Sequence, residues 1–313
     1  MKRKYIVWMI ALMTNSVLLA TELMPLPLHV DADEKKVQLG KKLFLDPILS
    51  KDKTLSCMSC HNLKSNGAGT VKLTAGIDGK KGYFNVPTVY NAVYNFRQFW
   101  DGRAKDLKDQ ALQPISNPVE MGNTIEQALH DLKANSVYVN TFNAIYNDGI
   151  TKDNLADALA EFEKVLITPN APLDRYLKGN KYALSDSAIR GYQLFKTKGC
   201  ISCHNGMNIG GNLYNKFGIY GDSESKELGR YVLTHKEEDK YVFKVPSLRN
   251  VSLTAPYMHD GRASSLKEAV NLMFKYQLGR RIKGEELRDI VSFLQSLTGE
   301  MPEIVKDING SME

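Results

Sequence analysis

Two short motifs contain all four cysteines of the 313-residue chain, and each motif ends in a histidine. Both have the spacing Cys-x-x-Cys-His, at 57–61 and at 200–204. Two cysteines separated by two residues can add to the vinyl groups of a haem from one turn of chain, and the next residue can bind the iron. The motifs therefore predict two covalently bound c-type haems. The predicted attachment and proximal ligand residues are Cys57, Cys60, His61, Cys200, Cys203 and His204.

Two other uses of these cysteines leave part of each motif unexplained. A zinc site could take four thiolates, and an exported protein could form two disulfides from four cysteines. Neither alternative gives a role to the histidine that follows each pair. Haem attachment accounts for both motifs in full.

The N-terminus has the pattern of a secretory signal. Three basic residues at 2–4 precede the apolar run 5–13, which is too short to span a bilayer comfortably, and the segment ends at Ala20. This pattern predicts a signal peptide over 1–20 and export to the periplasm. An uncleaved membrane anchor is the alternative, and it would also place the haem domains outside the cytoplasm.

The charge of the chain does not favour a nucleic-acid partner. The formal net charge is +6, and removal of the three basic signal residues would leave +3. The propionates of two haems would bring the charge close to zero. We therefore expect no binding to nucleic acid.

An internal repeat extends around both cysteine motifs. Gly-x-x-Leu-Phe precedes each motif, Pro-[Ser/Thr]-x-x-Asn follows it, and Asp-Gly-Arg-Ala begins fourteen residues after each of these prolines. The equal spacing predicts a duplication of one haem domain, mainly α-helical, with long loops and little strand. The repeated segments are 40–44 and 191–195, 87–91 and 246–250, and 101–104 and 260–263.

Apolar residues at helical spacing predict the main helices of the repeat. A Thr-x-x-Asn sequence at Thr151 is compatible with an N-cap. Strand signal is limited to two short runs. The predicted helices are 105–112, 151–167, 264–274 and 285–297, and the predicted strands are 231–233 and 241–245.

The proline-rich sequence at 169–172 ends the central helix and marks a domain boundary. We predict an N-terminal haem domain over 21–168 and a C-terminal haem domain over 169–300. Beyond Gly299 the sequence predicts a loose tail, 301–313.

The two halves differ at the position where a sixth iron ligand is expected. Met273 lies thirteen residues after Asp260, and a thioether there would complete His/Met ligation, which raises the reduction potential. The corresponding residue of the first half is Pro114, which cannot bind iron. A core methionine is the alternative role for Met273. The absence of a methionine at the equivalent position of the first half favours the role of Met273 as an iron ligand.

The motifs together resemble those of bacterial di-haem cytochrome c peroxidases, over about 40–299. The resemblance implies two cytochrome c-like domains that reduce hydrogen peroxide to water with electrons from a small soluble cytochrome c or copper protein. The segments that are similar to the family are 87–95, 98–104, 119–121, 253–259 and 266–270.

The resemblance also implies a division of roles between the haems. The haem of His204 and Met273 matches the high-potential centre that accepts electrons, and the haem of His61 matches the low-potential centre where peroxide binds. Trp100 matches an aromatic residue that assists electron transfer between them.

Five more residues match functional positions of the family. Glu120 matches the distal acid or base, a role that suits a carboxylate able to move a proton between peroxide oxygens. Gln110 matches an amide that positions peroxide. Asn85 and the backbone carbonyls of Thr254 and Pro256 match a calcium site at the domain interface, which suits a hard cation.

The chain departs from the family in the loop between the first haem motif and Pro87. Many members have a histidine there that binds the first iron until the other haem is reduced. Residues 62–86 contain no histidine, and the matching position is Ile77. We therefore expect a first haem that is open without reductive activation.

Two other functions fit the duplicated haem domain. One is a di-haem oxidase of another protein or small molecule, but such relatives often have a distal tyrosine where this chain has Met273. The other is an electron carrier, which would need a sixth ligand on both irons. Homodimers are common in the family, and the sequence does not decide the oligomeric state.

Overall fold

The computed structural model describes residues 22–221, 225–306 and 308. The signal predicted over 1–20 lies outside the described residues. Within them, no helix has both the length and the apolar character that crossing a membrane requires.

Helices dominate both halves of the chain. In the first half they are α1 Glu34–Leu45, α2 Cys57–Cys60, α3 Leu107–Ser116, α4 Ile125–Ala134, α5 Ser136–Asn143 and α6 Lys152–Lys164. In the second half they are α7 Pro172–Leu177, α8 Asp186–Thr197, α9 Tyr231–Thr234, α10 Leu266–Leu278, α11 Gly284–Gln295 and α12 Glu303–Lys306.

The remaining regular structure is short. Strands β1 Tyr214–Lys216 and β2 Val242–Lys244 form one antiparallel pair in which Tyr214 faces Lys244. Six single 3₁₀ turns lie in the loops: Pro47–Leu49, Ile77–Gly79, Ala92–Tyr94, Cys200–Ser202, Glu237–Asp239 and Val251–Leu253.

The predicted helices are confirmed, and so is the mainly α-helical class. The predicted N-cap at Thr151 is also present, since its hydroxyl accepts a hydrogen bond from the backbone N–H of Asn154 at 3.2 Å. Helices α3 and α10 begin in the same way, with Asp106 and Ser265 as N-caps.

Each half is organised around one pair of closely packed helices, α1 with α6 and α8 with α11. A Cβ atom at Gly40 would lie 1.9 Å from the Ala158 carbonyl oxygen, and one at Gly191 would lie 1.9 Å from that of Asp289. Only glycine allows the two helices to approach so closely. The repeated glycine before each haem motif is therefore a packing requirement.

A buried threonine joins the two copies of the repeat. The side-chain amides of Asn91 and Asn250 each donate to the Thr168 hydroxyl at 2.8 Å. Both asparagines have the left-handed backbone conformation that asparagine tolerates better than most residues. The last residue of Pro-[Ser/Thr]-x-x-Asn thus turns the chain in each half and binds the same hydroxyl.

The chain termini cross between the halves. Leu23 pairs with Gly206 and belongs to the core of the second half. Val305 and Ile308 are buried in the core of the first half, and the Lys41 ammonium donates to the Ile304 carbonyl at 2.9 Å. The boundary predicted after residue 168 stays a prediction.

Two sequence predictions were wrong. Tyr231–Thr234 is a helical turn, although its β-branched and aromatic residues predicted a strand. The predicted loose tail contains α12, because Val305 and Ile308 supply apolar surface that the first core covers. The strand predicted over 241–245 is present as β2.

Candidate haem centres and active site

The first cysteine motif forms one helical turn. Ser56 caps α2, and the His61 N–H donates to the Cys57 carbonyl at 2.9 Å. The His61 Nδ1 lies 3.2 Å from the Gly67 carbonyl oxygen, a contact that fixes the ring and leaves Nε2 for a metal. Burial lowers the pKa of His61, so the imidazole is in the neutral form that ligation requires.

The second motif forms a 3₁₀ turn and shares the backbone hydrogen bond of its histidine, but not the contact of the ring. The His204 N–H donates to the Cys200 carbonyl at 3.0 Å. Burial lowers the pKa of His204 to about 4, opposed by the backbone of Ile209 and Pro246. Within the described part of the chain, no partner forms a hydrogen bond to its buried Nδ1.

The four cysteines fit two covalently bound haems, and the cavity beside the second motif fits the second haem. All four cysteines are free thiols, available for thioether bonds. A cavity of about 480 Å³ beside the second motif is lined by Cys200, Cys203, His204 and Met273. A cavity of about 300 Å³ lies beside Cys60 of the first motif. The structure thus brings the predicted proximal and distal ligands of the second haem to one cavity.

The equivalent helices α3 and α10 differ where they face the haem motifs. Met273 lies within α10 and packs against an aromatic cluster. Pro114 occupies the corresponding place within α3. Since proline lacks an N–H, it also removes one hydrogen bond of that helix. The first half has no thioether at this position.

Trp100 reaches from the first half into the cavity of the second. Its indole N–H donates to the Asn85 carbonyl at 2.8 Å, and its ring centroid lies 6.3 Å from that of His259. It lines the same cavity as His204 and Met273. Trp100 therefore touches the space around the second haem motif.

Glu120 lies on the side of the first motif. Burial raises the pKa of its carboxyl, while the Arg103 charge and the Asn117 amide, which donates at 2.7 Å, lower it. Burial and then the Glu120 charge raise the pKa of Cys60 to about 11. The Glu120 carboxylate therefore acts electrostatically on the first haem motif.

Gln110 on α3 has a side-chain oxygen that is buried without a hydrogen-bond partner among the described residues. A buried amide oxygen of this kind is costly and accepts a hydrogen bond from any donor that can reach it. Its oxygen therefore makes no hydrogen bond to the described Glu120.

Ile77 lies against the segment that contains Glu120. Its N–H donates to the Glu120 carbonyl at 2.8 Å, and its side chain is buried. A Cβ at Gly122 would lie 2.9 Å from the Ile77 Cγ2. The position of Ile77 is therefore filled by buried hydrocarbon, which offers a metal no lone pair.

The predicted calcium residues line the second cavity together. The Asn85 amide nitrogen lies 3.2 Å from the Val71 carbonyl oxygen and 3.4 Å from that of Lys72. Because the Asn85 amide nitrogen donates to the backbone carbonyls of Val71 and Lys72, its side-chain oxygen stays available to bind a cation. The backbone carbonyls of Thr254 and Pro256 are also suited to a cation.

The role of the Asp-Gly-Arg segments was missed in the sequence. In each copy the arginine pairs with the aspartate two residues before it, Arg103 with Asp101 and Arg262 with Asp260. Arg103 also donates to the Gln113 side chain and lowers the pKa of Glu120. The equal spacing of the repeat was the signal that could have indicated this role.

Family models match both halves of the chain. A di-haem cytochrome c peroxidase model matches residues 34–182, and a cytochrome c model matches 188–298. The cytochrome c551 peroxidase of Nitrosomonas europaea is 45% identical over 269 residues, which are 85% of this chain and 80% of the relative. The chain belongs to the di-haem cytochrome c peroxidase family.

Other members of the family agree in sequence and fold. The cytochrome c551 peroxidase of Pseudomonas aeruginosa is 43% identical over 279 residues, 87% of this chain and 81% of that protein. The crystal structure of a MauG-like protein associated with microbial copper homeostasis superposes with a TM-score of 0.77 at 25% identity, covering 88% and 93% of the two chains.

Membership confirms the predicted class, the two haems and the peroxidase activity. The protein is a di-haem oxidoreductase with two cytochrome c-like domains. The relatives at 45% and 42% identity are named cytochrome c peroxidases. The predicted calcium ion stays a prediction.

Proposed function

We propose that the two haems have separate tasks in a periplasmic hydrogen peroxide reductase. Electrons enter at the haem held by His204 and Met273, and peroxide is reduced at the haem held by His61. One observation supports this division above others: Met273 lines the cavity of the second motif, whereas the equivalent helix of the first half has Pro114 and the Glu120 charge acts on Cys60. The electron donor is a small periplasmic cytochrome c or copper protein.

The protein side chains of the first centre handle protons. Bound haem supplies two-electron reduction of the O–O bond. Reduction of hydrogen peroxide to two waters takes up two protons, and one proton must move between the peroxide oxygens. The Glu120 carboxylate accepts this proton from one oxygen and returns it to the other. The free Gln110 oxygen accepts a hydrogen bond from the second O–H and orients the molecule.

Trp100 connects the two centres. Its indole is held by the Asn85 carbonyl at 2.8 Å and borders the cavity of the second haem. In this proposal, Trp100 assists electron transfer to the first haem. Calcium bound by Asn85, Thr254 and Pro256 would hold the two halves together at the same place, because the Asn85 N–H donates to the His259 carbonyl of the second half.

Rapid mixing of half-reduced protein with hydrogen peroxide tests this function. Fast oxidation followed by turnover on a reduced cytochrome is the expected result. An electron carrier would show no reaction. An oxidase would react with peroxide without sustained turnover on the cytochrome, and it would oxidise a different protein or small molecule.

The first haem is proposed to be open in the fully oxidised enzyme. Ile77 offers no lone pair, and its backbone is held against Glu120. Electron paramagnetic resonance of the oxidised protein should show a high-spin first haem alongside a low-spin second haem. A low-spin bis-histidine signal from the first haem would contradict an open site.

A further inference from the structure

Lys244 is a buried lysine at the edge of the second cavity. It is 7% exposed, lies at the end of β2 and lines the same space as His204 and Met273. The Lys244 backbone N–H donates to the Trp100 carbonyl at 2.7 Å, which fixes the strand beside the cavity.

The ammonium of Lys244 has no counter-charge among the described residues. No described carboxylate forms an ion pair with it, and its pKa is lowered to about 8 by burial alone. Among the described residues that line the cavity there is no aspartate, glutamate or arginine, and Lys244 is the one lysine. A buried, unpaired ammonium is costly, and an anion that fills the cavity would offset that cost.

A haem attached to Cys200 and Cys203 brings two carboxylates into this space. The rest of the wall is largely apolar, with rings of Phe217 and Phe243 among the lining groups. We propose that Lys244 binds a propionate of the second haem and raises the reduction potential of that haem. The proposal rests only on haem occupancy of the second motif and not on the reaction with peroxide.

The first half lacks this cation. Lys244 stands two residues before Pro246, and Asn85 stands two residues before Pro87 in the repeat. The equivalent residue of the first half is therefore neutral. A propionate without a neighbouring cation stabilises the oxidised iron, which carries the more positive charge, and so lowers the reduction potential. Because Lys244 would offset that negative charge at the second haem, the Lys244–propionate pair raises the potential of this haem selectively.

The test measures the potentials of both haems by spectroelectrochemical titration of the full-length holoprotein. Lys244→Met should lower the midpoint potential of the second haem and leave the first unchanged, while Lys244→Arg should retain most of the wild-type value. The matched control is Lys216→Met, which removes an exposed lysine from the paired strand β1.

Measurement at high ionic strength distinguishes a buried Lys244–propionate pair from a general effect of surface charge. The shift in Lys244→Met should persist at high ionic strength, whereas any shift in Lys216→Met should disappear. An unchanged second potential in Lys244→Met, or equal shifts in both methionine variants, would overturn the proposal.

Haem content makes the test independent of folding and of turnover. If Lys244→Met loses the second haem while Lys244→Arg keeps it, the positive charge is needed to hold the haem, and the proposal stands. Loss of the second haem from both variants would contradict a role based on charge. Peroxidase failure with the expected potentials would reject the proposed function and leave this inference intact.

Discussion

The first and second haem regions share their packing contacts and differ in side chains at equivalent positions. Gly40 and Gly191 allow the same close approach of two helices, and Asn91 and Asn250 bind one hydroxyl. The equivalent residues differ at Pro114 and Met273, and at Asn85 and Lys244. The duplicated scaffold was thus kept while residues suited to setting iron chemistry changed.

A buried acid in α6 extends this comparison. Burial raises the pKa of the Glu163 carboxyl to about 8. The pKa of the Cys57 thiol is also raised, mainly by its own burial and then by the Glu163 charge. Phe162 and Phe293 occupy equivalent positions in the two helix pairs, each beside the repeated glycine. The residues that follow them, Glu163 and Leu294, are therefore equivalent as well. The charges of two glutamates thus act on the cysteines of the first motif, whereas a lysine borders the second.

The largest expected effect comes from removing the carboxylate of the first region. Glu120→Gln should lower kcat/KM for hydrogen peroxide by about 10²- to 10⁴-fold, the usual contribution of a general acid or base. Haem content and both potentials should stay close to wild type. Glu126→Gln, at an exposed glutamate on α4, is the control. Equal activities of the two variants would remove Glu120 from the mechanism.

Ile77→His would restore the ligand that the first region lacks. We expect a low-spin first haem in the oxidised variant and a lag before turnover that prior reduction of the second haem removes. Electron paramagnetic resonance and the time course of peroxide consumption measure these changes. A variant with wild-type spectra and no lag would show that position 77 does not reach the iron.

Thr168→Val tests the contact that the two regions share. Both asparagine amides would lose a buried acceptor, and each such loss costs about 1–3 kcal/mol. Denaturant titration should show a lower free energy of unfolding than for Thr298→Val, whose half-buried hydroxyl binds only Ser252. Similar losses in the two variants would mean that the shared hydroxyl has no special stabilising role.

The smallest expected effect is a shift of the pH profile. Burial raises the Glu120 pKa and Asn117 lowers it, so Asn117→Ala should raise it further. If the ionised carboxylate is the base, activity falls as pH drops through this pKa, and the variant should lose activity at higher pH. A hydrogen bond to a charge contributes about 1.5 kcal/mol, equivalent to about one pH unit. If the acidic side of the pH–activity profile is the same in Asn117→Ala and wild type, Glu120 is not the base.

Local spacing made much of the molecule predictable. The cysteine motifs, the N-cap at Thr151 and the candidate ligand Met273 depend on residues close in sequence or on exact repetition. The contact of Ile77 with Glu120 and the shared hydroxyl of Thr168 join distant segments. No local pattern encodes those pairings, because each depends on how the two halves are placed in space.

The terminal segments escaped prediction for a related reason. An extended stretch such as 22–26 has no periodicity that would reveal its partner, and the four-residue α12 is too short to be stable by itself. Their structure comes from the cores that they cover. Lys244 was missed because a lysine in a sequence is normally expected at the surface.

The crossing of Leu23 and Val305 makes each half depend on the other for its packing. The core of the N-terminal half is complete only with Val305 and Ile308, which lie beyond the second haem motif in sequence. The second half, in turn, uses a segment that precedes the first haem motif. A fragment that contains one haem motif and its own half would therefore lack part of its core.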